Sequence, residues 1–229
     1  IGFVGLYIKE HGEESPAFEE AKASGDLCTK PVREAFTTYR VKMIEGFSFY
    51  LFVTIPFYAI AIYFIGYSKA HLGMTQHDAL LINSMAMVAM FLPVLPAAML
   101  ADRIGRKKVL MAAIITMMVV LYPAFNMMQS GDFVKVAIAQ CMLAFISGWY
   151  IAPIPAMLVE LFPTRIRYTG MSLSYNFCAI LGGLTPSISE YLIRQTGDNM
   201  SFMYLFVGSG LASFIALVYY KDEWRKPLA

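Results

Sequence analysis

Charge is scarce in this sequence. Only 15% of its 229 residues are Asp, Glu, Lys or Arg, where a soluble domain carries about a quarter. That shortage argues against a water-exposed globule. Cysteine is scarce too. Cys28, Cys141 and Cys178 stand far apart, form no CxxC pair, and their odd number gives no disulfide framework. Cys141 and Cys178 fall in apolar runs and read as small packing residues. His11, His71 and His77 make no HExxH, and Gly208-Ser209-Gly210 has no histidine partner within the apolar runs, so intramembrane hydrolysis lacks its constellation. The basic residues lie in short loops and not on one face, so nothing suggests nucleic acid as a partner. A charged n-region with a small-residue cleavage site is missing at the start, so no signal peptide is read there. Ile1 to Ile8 reads as the tail of a hydrophobic helix begun upstream, and the chain as a fragment.

What the sequence has is long apolar runs. Hydrophobic residues make up 58% of it. Six runs, Ile44–Tyr67, Ala79–Ala101, Val109–Met128, Val134–Val159, Thr169–Ile193 and Ser201–Tyr220, are each expected to span about 30 Å of hydrocarbon as a helix. Between the second and third lies Asp102-Arg103-Ile104-Gly105-Arg106-Lys107-Lys108, a short, basic, glycine-containing turn that makes a membrane hairpin. If alternate loops face alternate sides, fifteen of the eighteen Lys and Arg residues fall on one side; only Lys69, Lys135 and Arg194 fall on the other. The positive-inside rule then makes the polar stretch 9–42, the turns 102–108 and 160–168 and the C-terminal tail cytoplasmic. A short amphipathic surface helix is expected near Val32 to Tyr39. Pro56, Pro93, Pro96, Pro123, Pro153, Pro155 and Pro186 fall inside the runs and predict kinks.

Ala98-x-x-x-Asp102-Arg103-x-Gly105-Arg106-Lys107 resembles the G-x-x-x-D-R-x-G-R-[RK] signature of the major facilitator superfamily, with Ala98 for the leading glycine. Pro155-x-x-x-x-Glu160-Leu161-Phe162-Pro163-Thr164-Arg165-x-Arg167-Tyr168-Thr169-Gly170 resembles the loop between helices ten and eleven of the metabolite:proton symporters, whose members include proline/betaine transporters. Ser172-Leu173-Ser174-Tyr175-Asn176, Gly182-Gly183-x-x-Pro186 and Glu13-Glu14-Ser15-Pro16-x-Phe18 fit the same family. The resemblance implies an all-α membrane protein, the C-terminal six-helix half of a twelve-helix carrier. Residues 1–8 would end helix six, 9–42 would form the central cytoplasmic loop, and 43–229 would form the six-helix domain. It also implies that Asp102, Arg103, Gly105, Arg106, Glu160, Arg165 and Arg167 form a cytoplasmic gate. Arg103 or Arg106, three residues apart, can reach Glu160 from across the turn.

By the same resemblance, runs one, two, four and five line a central cavity, and three and six face lipid. Tyr50, Thr54, Tyr58, Trp149, Tyr150, Tyr175 and Asn176 are then the cavity candidates. Aromatic faces attract an ammonium group, and an amide in hydrocarbon needs a partner. The expected substrate is a small organic solute, with a proline/betaine-like zwitterion favoured, carried with protons by alternating access. Expected partners are that solute, protons, the missing N-terminal half and the bilayer; no cofactor or metal is expected. No acidic residue lies at mid-bilayer depth, so the proton-coupling carboxylate is expected in the missing half. Glu190, four residues before Arg194, reads as half of a local i,i+4 pair. A non-transporting remnant or interaction protein, or a sugar or organic-acid carrier of the same superfamily, are the alternatives. An enzyme is not expected.

Overall fold

A computed structural model describes residues 30–221. The readings made for residues 1–8, for 9–29 and for the tail beyond Lys221 lie outside the described residues.

The described chain is all helix. A short helix, α1 (Pro31–Thr37), precedes α2 (Arg40–Tyr58). α2 passes through a π-helical turn, Ala59–Tyr63, into α3 (Phe64–Ala70). Then come α4 (Gln76–Phe91), α5 (Val94–Ile104), α6 (Arg106–Met128), α7 (Phe133–Ile151) and α8 (Ile154–Leu161). α9 (Arg167–Gly183), α10 (Thr185–Thr196) and α11 (Met203–Tyr219) complete the described chain. Four helical stretches are long and apolar enough to cross a bilayer: Arg40–Ala70, Gln76–Ile104, Arg106–Met128 and Phe133–Leu161. They match the first four expected runs, the first starting inside the stretch assigned to the loop. A short helix, α1, is present where one was expected near Val32 to Tyr39.

The last two runs depart from expectation. Thr169–Ile193 does not form one apolar helix: it divides at Leu184 into α9 and the polar α10, which starts at Thr185-Pro186. The sixth run is a 17-residue helix, about 25 Å long.

Proline explains most of the breaks. Pro93 and Pro153 sit where α4 passes to α5 and α7 to α8, and Pro186 sits in the first turn of α10. A proline has no N–H to give and is tolerated at the start of a helical stretch, so each run is re-initiated there. Pro56 lies inside α2 just before the π-helical turn. In the widened turn the carbonyl of Ile60 accepts from Asn83 Nδ2 on α4 at 2.6 Å, a side-chain partner of the kind that satisfies backbone groups around a break within a bilayer. Pro123, by contrast, sits within an unbroken α6.

Packing divides the bundle into two trios. α2 packs against α9 and α11; α7 packs against α4 and α6; the trios meet where α2 touches α7 and α11 touches α6. Glycine permits close approach at several contacts, two of which show it well. A Cβ on Gly148 of α7 would overlap the carbonyl oxygen of Met90 on α4, and one on Gly182 of α9 would come within 2.7 Å of the Tyr58 ring on α2. Interhelical hydrogen bonds add about 0.6 kcal/mol each in such an environment. Tyr150 Oη donates to the Phe49 carbonyl at 3.0 Å, Cys178 Sγ to that of Phe47 at 3.2 Å, and Ser213 Oγ to that of Ser48. The core is aromatic. Phe125 and Phe202 meet edge to face at 4.6 Å, and Phe64, Tyr63 and Tyr67 surround Phe202 at 5.0 to 5.9 Å.

Candidate functional site

Three clusters carry the polar chemistry of the described chain. The first is the basic turn. α5 ends at Ile104 and α6 starts at Arg106, with Gly105 between them at φ 98°. That conformation is strained for any residue with a Cβ, and it lets two helices meet with no loop at all. The tight reversal places Arg106 over the end of α8. Its Nη1 lies 2.6 Å from Glu160 Oε1, and its Nη2 lies 3.3 Å from Asp102 Oδ1. Arg106 and Glu160 are both largely buried, at 13% and 16% exposure, while Asp102 is 69% exposed. Lys107 turns the other way. Its Nζ donates to the carbonyls of Tyr220 at 2.7 Å and Val218 at 3.0 Å, at the C-terminal end of α11, where a helix presents unpaired carbonyls and negative potential. Arg103 and Lys108 are exposed.

Of the two arginines that could reach Glu160, the structure pairs Arg106. Arg165 and Arg167 go elsewhere. Arg165 Nη2 donates to Glu34 Oε2 on α1 at 3.0 Å, and Arg167 Nε donates to the Phe162 carbonyl at 3.1 Å. The Glu34 contact was not read from the sequence. It fastens α1 to the loop after α8, and the buried Ala35 beside it packs into the core.

The second cluster is a cavity of about 310 Å³ among α2, α4, α5, α7 and α9. Tyr50, Thr54, Tyr58 and Tyr175 line it, together with Phe57 and Phe91, and no charged residue does. Tyr50 and Tyr175 meet edge to face at 5.1 Å. Thr54 Oγ1 turns back to the carbonyls of Tyr50 and Leu51 at 3.2 Å.

The other three cavity candidates lie elsewhere. Tyr150 is fully buried and bonded to the Phe49 carbonyl, so it packs between helices. Trp149, one residue and about 100° round the helix away, lines a different groove beside α5 and α6. Asn176 is exposed, and its Nδ2 donates to the Ser172 carbonyl of its own helix at 2.7 Å. That local bond satisfies the amide without a ligand.

The third cluster sits at the end of the bundle opposite the basic turn. Glu190 on α10 accepts from Tyr63 Oη at 3.0 Å and pairs with His71 Nε2 at 3.1 Å. Glu190 therefore ties α10 to the first span, in place of the local pair with Arg194 expected from spacing. Beside it, Tyr67 Oη donates to the Asn199 carbonyl at 3.1 Å and accepts from Gln129 Nε2 at 2.7 Å. Among the described residues, no group of three or more His, Cys, Asp or Glu could hold a metal ion.

Residues 46–228 match the family model described as Major Facilitator Superfamily. The chain belongs to the major facilitator superfamily. It is a multi-pass membrane protein of a transporter family, not an enzyme. Over its full length it is 28% identical to the ectoine/proline transporter ProP of Corynebacterium glutamicum, covering 47% of that protein. It is 33% identical to the inner membrane metabolite transport protein YhjE of Escherichia coli K12, over 94% of this chain and 50% of that one. It is 24% identical to the proline/betaine transporter of the same strain, over 100% of this chain and 47% of that one. The chain thus spans about half the length of the curated relatives it matches.

Proposed function

We propose that this chain is the C-terminal six-span half of a secondary carrier for a small organic zwitterion of the proline or betaine kind. In this reading α9 with α10 forms the fifth span and α11 the sixth. The basic turn, the loop 160–168 and the C-terminus face the cytoplasm of a bacterial inner membrane. The single observation that carries the substrate reading is the cavity lined by Tyr50, Thr54, Tyr58 and Tyr175. It holds aromatic faces and hydroxyls but no formal charge. Such a wall takes the ammonium side of a zwitterion by ring attraction and leaves its carboxylate to the other half.

Transport would proceed by rocking the two halves about that cavity, with protons as the coupling ion. The Arg106–Glu160 pair, with Asp102 and Gly105, would hold the cytoplasmic end of this half in one arrangement. Arg165 and Arg167 would hold the loop beside it, Arg165 by fastening it to α1. Names of relatives support the same class: ectoine/proline in one and proline/betaine in another.

Uptake of labelled proline, betaine and 2-oxoglutarate by the full-length protein, with and without a protonophore, tests the reading. Proline or betaine uptake abolished by the protonophore is the expected result. Preference for 2-oxoglutarate would favour the organic-acid alternative, and uptake indifferent to the protonophore would remove proton symport.

A further inference from the structure

Three of the four cations of the basic turn divide their work, and the fourth, Arg103, is exposed. Arg106 meets Glu160 and Asp102, and Lys107 meets the carbonyls of Val218 and Tyr220. Lys108 does neither. It is exposed at the mouth of a second cavity of about 310 Å³, set between α5, α6 and α7 and lined by Leu100, Ile104, Ala112, Thr116, Phe145 and Trp149 among others. The buried floor is apolar, made by Val109 and Ala113 of α6 and Ile146 of α7, with Ala112 and Thr116 exposed along its edge. Thr116 Oγ1 donates to the Ala112 carbonyl at 2.8 Å, so its hydroxyl is satisfied inside its own helix. Lys108 to Thr116 covers about 12 Å along the helix. The groove is therefore apolar in depth and cationic at one end, and no carboxylate lines it.

We propose that this groove holds one acyl chain of an anionic phospholipid whose headgroup phosphate rests on Lys108. The charge of the site selects the lipid. A zwitterionic headgroup brings its own cation to Lys108, whereas an anionic one brings net negative charge. Each basic residue near an anionic surface contributes about 1 kcal/mol of attraction. The apolar walls supply a place for the chain but no headgroup preference.

Trp149 lies in the groove wall and reports its occupancy. The full-length protein is reconstituted in vesicles containing phosphatidylglycerol or phosphatidylcholine with brominated chains, and tryptophan quenching is measured. The Trp149 signal is isolated by comparison with Trp149→Phe. The expected result is stronger quenching of Trp149 by the brominated anionic lipid, a preference that falls roughly fivefold in Lys108→Gln, the equivalent of about 1 kcal/mol for one cation. Lys108→Arg retains it. Rising salt weakens it in the unaltered protein, because the headgroup contact is screened. Equal quenching by the two lipids, an unchanged preference in Lys108→Gln, or a preference indifferent to salt would overturn the proposal. So would absence of quenching by either lipid, which would mean that protein covers the groove.

Discussion

Glu160 and Arg106 form the contact whose removal has the most definite consequence. Both side chains are largely buried, at 16% and 13% exposure, and their charged atoms are 2.6 Å apart. Exposed ion pairs contribute about 0–1 kcal/mol, and loss of one partner from a fully buried pair costs about 3–5 kcal/mol. A pair buried to this degree, with Arg106 keeping Asp102 at 3.3 Å, falls between these limits. Glu160→Gln or Arg106→Gln alone should therefore cost about 2–3 kcal/mol. Each single change takes one charged partner from a largely buried group, and the double change removes both groups together. The double variant should then be no less stable than either single one, giving a coupling energy of at least about 2 kcal/mol. Asp102→Asn should cost under about 1 kcal/mol, because Asp102 is largely in water. The measurement is thermal unfolding of the full-length protein in detergent, followed for the four members of the cycle. Costs that simply add, to within about 0.5 kcal/mol, would show that the two residues do not act as a pair and would refute the reasoning.

Further outcomes follow from other contacts. Gly148→Ala should destabilise by about 1–3 kcal/mol, because a Cβ there meets the Met90 backbone and not a movable side chain. Gly66→Ala, whose Cβ meets nothing within 4 Å, should be neutral or stabilising by up to about 1 kcal/mol; parallel melting curves check both. Gly105→Ala should cost about 1–3 kcal/mol through its positive φ, and the loss should appear even where Arg106 has already been replaced. Glu190→Ala removes the acceptor for Tyr63 and His71 and should cost about 1–2 kcal/mol. Glu190→Gln keeps an acceptor oxygen and should cost less, which hydrogen exchange in α3 and α10 would register.

The parts legible in the sequence are those fixed by local rules. Four spans follow from uninterrupted apolar length, and the hairpin at 102–108 follows from charge and a glycine between two such runs. Proline positions announce the joints at 93, 153 and 186, because a missing N–H acts wherever it sits. The rest depended on rotation about a helix axis and on partners distant in sequence. Arg103 and Arg106 both reach toward Glu160 by spacing; only the sharp turn at Gly105 decides which one arrives. Trp149 and Tyr150 are neighbours in sequence but point about 100° apart, one into an outer groove and one into the core. Asn176 satisfies its amide on its own helix, an outcome that residue type cannot announce. Glu190 failed as a local pair for a related reason: His71 and Tyr63, more than a hundred residues away, offer it two donors at 3.1 and 3.0 Å.

The turn also joins two packing units, which its sequence motif does not disclose. Arg106 ties α6 to the end of α8, which packs against α2 and α9 as well as α7. Lys107, the next residue, crosses to the other trio by holding the last carbonyls of the α11 end. Two adjacent cations on one helical turn therefore control different joints. The α11 end can come away from α6 by losing Lys107 while the Arg106–Glu160 pair stays closed. Lys107→Met should consequently loosen α11 against α6, seen as faster hydrogen exchange near residues 216–220, while leaving the Arg106–Glu160 coupling at its full value. Equal weakening of both joints would show that the turn moves as one rigid unit.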